Sequence, residues 1–177
     1  AELTIAFPEE ATERVGFGNG TTGRQAAKRG IITVGESVQA SGAETDPEFD
    51  EPLSFGAVRR PTNLQRLGTL ISRYCEAWAT AGYQITICFD SLSELLAHND
   101  AQHVFKFVHV LRGRLEAVDA VAHFHLDPEA HSDQVLGTFE EIADETFVEF
   151  EADQSVLEAG LGGRSSRATD DDVATAT

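Results

Sequence analysis

Ile85-Thr86-Ile87-Cys88-Phe89-Asp90-Ser91-Leu92 is the stretch on which the reading of this chain turns. Five strand-forming residues follow Gly82-Tyr83-Gln84 and stop abruptly at an acid. A carboxylate ending a buried strand is costly unless it meets water, a hydrogen-bond donor or a metal ion. Two roles fit Asp90. It could cap a helix beginning Ser91-Leu92-Ser93-Glu94-Leu95-Leu96, or it could be a metal-binding acid at the carboxyl edge of a sheet.

The pattern on either side favours such a sheet. Upstream, Leu64, Leu67, Ile71, Cys75 and Trp78 recur at three- and four-residue steps, giving a helix begun at Pro61 and ended by Gly82. Downstream, Ser93 to His98 reads as a short helix. Asn99-Asp100 opens a longer one with Val104, Val108, Leu111, Leu115 and Val118 on one face. Ala120 to Leu126 is the next strand, and His131 to Ala143 is amphipathic, with Val135, Leu136, Phe139 and Ile142 inward. Thr146 to Phe150 is a last strand. Before the upstream helix come strands at Leu3 to Phe7, Gly30 to Gly35 and Leu53 to Val58. Pro8-Glu9-Glu10 opens a brief helix or turn, residues 16–30 form a Gly-rich loop, and residues 36–52 form an acidic one. Strands alternating with helices give an α/β fold, a mostly parallel sheet flanked by helices on both faces, with its chemistry at the strands' carboxyl ends. Residues 1–152 make one domain. Residues 153–177 read as a disordered acidic tail, ending in Gly, Ser, Thr and Asp.

Among 177 residues, 30 are acidic and 13 basic, a formal charge of −17. Only Lys28 and Lys106 are lysines. Self-repulsion of this size strains a compact chain in dilute buffer. At molar salt the screening length falls to ~3 Å, so the composition suits a salt-filled cytoplasm. With no basic stripe, the charge argues against general nucleic-acid binding. Cys75 and Cys88 both fall in apolar patterns and read as buried free thiols. There is no signal peptide and no membrane-length apolar run, so a cytoplasmic location is expected.

Further pieces are distinctive: Phe105-Lys106-Phe107-Val108-His109-Val110-Leu111 and Ala122-His123-Phe124-His125-Leu126-Asp127-Pro128. With Cys88-Phe89-Asp90-Ser91-Leu92 they resemble the KaiC/RecA-like ATPase family, especially its divergent haloarchaeal members. The resemblance covers residues 1 to about 151 and is carried mostly by Leu64 to Asp144. It implies a three-layer RecA-like P-loop NTPase fold. It implies that Asp90 holds Mg2+ beside ATP, with Ser91 adjacent, and that a polar sensor residue stands at or near His125, with Asp127 close by. It also implies a homo-oligomer with nucleotide between subunits. Leu3 to Phe7 followed by Pro8-Glu9-Glu10 resembles the family element whose glutamate polarises the attacking water, making Glu9 and Glu10 the catalytic candidates. Pro8 displaces these acids by one position, and first-turn acids favoured by a helix dipole are the other reading.

The larger departure from the family is the phosphate loop. No G-x-x-x-x-G-K-[ST] run occurs; Gly16 to Gly23 is Gly-rich, but neither Lys-Ser nor Lys-Thr follows. In the family the loop would precede Leu3, and this chain has no methionine and opens at Ala1. The expectation is therefore a degenerate domain, lacking the first strand and phosphate loop, that serves regulation or assembly through protein contacts. An ATPase whose loop lies upstream of Ala1 is the alternative. A third reading is a metal hydrolase built on His123, His125 and Asp127, with His131 following, because residues two apart on a strand share a face. Arg112 and Arg114 could meet phosphates or pair with local acids at a helix carboxyl end.

Overall fold

Five short runs of β-branched and apolar residues pair into a single sheet in the computed structural model, which describes residues 1–7, 26–35 and 47–144. They are β1 (Glu2–Ala6), β2 (Arg29–Val34), β3 (Leu53–Val58), β4 (Thr86–Asp90) and β5 (Val121–Phe124). Every neighbouring pair is parallel, in the order β3-β2-β1-β4-β5. The helices are α1 (Leu64–Thr80), α2 (Leu92–His98), α3 (Ala101–Glu116) and α4 (Asp133–Glu140), with a 3-10 turn at Pro128–Ala130. The molecule is thus an α/β protein, an all-parallel sheet flanked by helices. Among the described residues no helix is long and apolar enough to cross a membrane. Glu9, Glu10, residues 16–25 of the Gly-rich loop, residues 36–46 of the acidic loop, the strand expected at Thr146 to Phe150 and the tail from 153 lie outside the described residues.

Local chemistry sets the helix boundaries. α1 starts three residues after Pro61, because the Asn63 side chain accepts the Arg66 N–H at 3.0 Å and makes Asn63 the cap. Its end is followed by Gly82, whose φ of +80° is a conformation that favours glycine. Asp100 caps α3 by accepting from the Gln102 N–H at 2.9 Å. The ladder of β5 is shorter than the Ala120 to Leu126 run, although the His125 N–H still bonds to the Phe89 carbonyl at 3.1 Å.

One face of the sheet is dry. Leu3, Ile5, Ile32, Val34, Val58, Ile87 and Phe89 are buried there. α1 lays Leu67, Leu70, Ile71, Tyr74 and Trp78 on it, and α3 adds Val104, Val108, Leu111 and Leu115 to the same core. Burying each large apolar side chain contributes about 1.5–3 kcal/mol. Two strand glycines permit this closeness. A Cβ on Gly30 would meet the Tyr74 ring at 2.6 Å, and one on Gly56 would meet Leu70 at 2.8 Å. Phe89 on β4 stands against Phe107 of α3, ring centroids 6.3 Å apart, which places α3 on the same face as α1.

The opposite face is partly open. Parallel register aligns its residues in rows: Leu53, Arg29, Glu2, Thr86, Val121, then Phe55, Ile31, Thr4, Cys88, His123. A third row holds Ala57, Thr33, Ala6 and Asp90, with His125 continuing the ladder. Leu53, Phe55 and Val121 on this face are exposed.

Candidate functional site at the carboxyl edge

The strand order reverses between β1 and β4. From β1 the chain steps outward to β2 and β3, then returns past β1 to β4 and continues to β5. In open parallel sheets the crevice outside the carboxyl ends at such a reversal is where ligands bind. The residues there are Ala6-Phe7 on one side and Asp90-Ser91 on the other. Asp90 is only 6 % exposed; Ser54 is the other buried polar residue among those described.

Asp90 is not the cap of α2. Ser91 is, its Oγ accepting the Glu94 N–H at 3.3 Å. The Asp90–Ser91 peptide bond is cis. The α2 start is also tied to β5, because the Leu92 N–H bonds to the His125 carbonyl at 2.8 Å. Asp90, Ser91 and His125 are therefore brought together as the sequence suggests. Asp127 joins them through Ser93, whose Oγ accepts the Asp127 N–H at 2.8 Å. The Asp127 carboxylate is engaged elsewhere, accepting the Glu129 N–H at 2.9 Å at the start of the 3-10 turn.

Sequence reasoning missed two residues at this edge. Ser93 lies 2.9 Å from His131 Nε2, so one hydroxyl links α2 to both Asp127 and His131. The Ser91-Leu92-Ser93 spacing was the available signal, since one serine caps and the next is left for another partner. Cys88 is the second. It is partly exposed, contrary to the reading of two buried thiols, because strand alternation turns it away from Ile87 and Phe89. His125 Nε2 stands 3.7 Å from its sulfur.

His123 and His125 share the open face, as their spacing requires. Among the described residues, however, no three His, Cys, Asp or Glu side chains gather where they could hold a metal ion. Arg112 is occupied by local acids: it donates to Glu116 Oε1 and Asp144 Oδ1, both at 2.8 Å, and to the Ile142 carbonyl at 3.0 Å. Arg114 donates to Ser72 Oγ.

The residues present fit only part of a Mg-ATP site. The hard oxygens of Asp90 suit Mg2+ held through water. A triphosphate also needs a cradle of N–H groups and a lysine. Lys28 precedes β2 at the opposite edge of the sheet, where it donates to the Asp50 carbonyl. Lys106 is exposed on α3. The described edge thus matches the acid and lacks the cradle.

A family model described as a family of unknown function (DUF7504) matches residues 8–149. No curated protein and no solved structure matches.

Proposed function

The chain belongs to the DUF7504 family, and from its geometry we propose that it is a degenerate RecA/KaiC-like module. It works in regulation or assembly through protein contacts, as part of an oligomer or with a partner protein, and turns over no nucleotide itself. The observation that carries this reading is Asp90, a buried acid ending a central parallel strand at the point where strand order reverses. An acid ending a sheet strand is what the family the sequence resembles uses to hold Mg2+, which supports the reading. Its surroundings have been put to structural use: Ser91 caps α2, Ser93 holds the following turn, and Asp127 caps that turn. The strand order is also that of doubly wound dinucleotide-binding folds. There the first strand leads into G-x-G-x-x-G, whereas β1 leads into Phe7-Pro8-Glu9-Glu10, which does not support that reading.

The test is calorimetric titration of Mg-ATP into the folded chain in multimolar KCl, with Asp90→Ala alongside. The module reading expects no saturable Mg-dependent binding to either protein. Saturable binding that needs both Mg2+ and Asp90 would sink it in favour of an ATPase.

A further inference from the structure

We propose that the outer edge of β3 is a self-association surface, on which a second copy of this chain pairs its own β3 antiparallel across a two-fold axis through Phe55, joining the two sheets into one. The inference deepens the assembly reading given above and rests on it. A monomeric chain would fail this proposal alone, whereas Mg-dependent ATP binding would fail that reading and leave the edge untouched.

β3 is one edge of the sheet, with a single neighbour among the described residues. The Arg29 N–H bonds to the Pro52 carbonyl at 2.8 Å and the Gly35 N–H to the Val58 carbonyl at 2.9 Å, so the even-numbered residues turn their backbone polar groups toward β2. Leu53, Phe55 and Ala57 turn theirs outward, where nothing among the described residues takes them. Their side chains share the open face of the sheet, Phe55 60 % exposed and Leu53 47 %. Such an edge is a template for another strand unless lysine, proline or a bulge guards it. β3 carries no lysine and pairs with β2 without a break in register. The proline just before it, Pro52, stands where a backbone N–H would face β2, so it does not block the outer side.

The charges around this edge select its occupant. In Asp50-Glu51-Pro52-Leu53-Ser54-Phe55-Gly56-Ala57-Val58-Arg59-Arg60, read about Phe55, two acids stand on one side and two arginines at the same distances on the other. All four are exposed, and none makes an ion pair among the described residues. In an antiparallel pair centred on Phe55, Glu51 stands opposite the partner's Arg59 and Asp50 opposite the partner's Arg60, and the two-fold repeats both. Phe55 meets the partner's Phe55 and Leu53 meets the partner's Ala57. Each is a pair that exchanges both hydrogen bonds, because these residues hold the outward polar groups. Opposite charges and aromatic rings set directly across strands are both favourable. In-register parallel pairing would instead set acid against acid and arginine against arginine. The other edge lacks this symmetry: β5 has 4 residues, and self-pairing about His123 would set Asp119 against the partner's Asp127. The contact is isologous and closes on itself, so the product is a dimer and not a filament.

The experiment is sedimentation equilibrium of the full chain in high KCl over a range of concentrations. A monomer–dimer equilibrium is expected. Phe55→Lys, which sets like charges together at the axis, should leave monomer at concentrations where the wild type is dimeric. Glu51→Arg and Arg59→Glu should each weaken self-association by roughly ten-fold, since either change reverses both symmetry-related pairs. Mixed in equal amounts, these two variants should dimerise again, because every pair between positions 51 and 59 is then of opposite sign. Circular dichroism identifies folded variants, and recovery in the mixture shows that both charge variants keep a competent strand. A wild type that stays monomeric at every concentration would overturn the proposal and leave the edge to a strand of another protein. So would a dimer that Phe55→Lys leaves intact, or a mixture that associates no better than its components.

Discussion

Gly30→Ala tests how α1 meets the sheet. Gly30 lies on β2, on the dry face, directly beneath that helix. An added Cβ would lie 2.6 Å from Tyr74 Cε1, 2.9 Å from Leu3 Cδ1 and 3.0 Å from Trp78 Cη2. Carbon atoms in contact prefer about 3.5–4.0 Å, so the Tyr74 ring must retreat by roughly 1 Å. Tyr74 cannot do so alone, being wedged between Phe49 and Trp78 with ring centroids 4.9 and 5.0 Å away. Overpacking of this kind costs about 1–3 kcal/mol. The alanine recovers roughly 0.5–1 kcal/mol, because glycine loses more backbone freedom on folding. The net expectation is a loss of roughly 1–2 kcal/mol. Urea unfolding in high KCl reads it, with the single tryptophan, Trp78, reporting from the site itself. At about 1–3 kcal/mol per molar urea, the midpoint should fall by roughly 0.5–1 M. Gly113→Ala is the control. A Cβ there, on α3, meets nothing within 4 Å, and helix propensity predicts a gain of up to about 1 kcal/mol. A Gly30→Ala midpoint equal to or above wild type would refute the packing argument.

Other perturbations have expected outcomes of their own. Ser91→Ala removes the α2 cap and should cost about 1 kcal/mol, read as a lower urea midpoint; no change would return the capping role to Asp90. Arg112→Ala cuts the ties to Glu116, Asp144 and the Ile142 carbonyl, and should cost about 1 kcal/mol or less, shrinking as KCl rises. A loss independent of salt would mean that packing of the side-chain stem is what matters. Burial raises the Cys75 thiol to about 11 and also raises the Tyr74 phenol. Both groups fold best uncharged, so their contribution is intact below pH 9 and is lost as pH rises through the folded values. Wild type should lose urea stability between about pH 9 and 11 more steeply than Cys75→Ala, and parallel curves would count against that assignment.

The order of elements was legible because their periods are unambiguous. The three- and four-residue spacing through Trp78, and the strand ended by Asp90, each appear within a few residues of their expected limits. Boundaries moved where a side chain competes with the pattern, as when Asn63 caps α1 after the turn that Pro61 begins. Strand order was not legible, since which strands become neighbours depends on contacts far apart in sequence. Neither was the division of labour at the carboxyl edge. Asp90 and Ser91 are adjacent polar residues before a helix, and only geometry shows that the serine caps while the acid is buried. The exposure of Cys88 was within reach of the sequence: strict alternation along Ile87-Cys88-Phe89 separates the thiol from its apolar neighbours, but both cysteines were read as buried because each falls in an apolar pattern.

The place of β1 bears on how the chain assembles. Glu2 pairs with both Arg29 and Thr86, so the first few residues supply the middle of the sheet. The β2–β3 pair is local and can form early. The β4–β5 pair, bridged by α2 and α3, is local as well. Joining the halves means closing a loop that runs from the start of the chain to beyond its midpoint, the kind of distant contact that slows folding. Deleting the first seven residues would therefore remove a shared neighbour and leave β2 and β4 facing each other across an empty strand position, two half-sheets with no common edge.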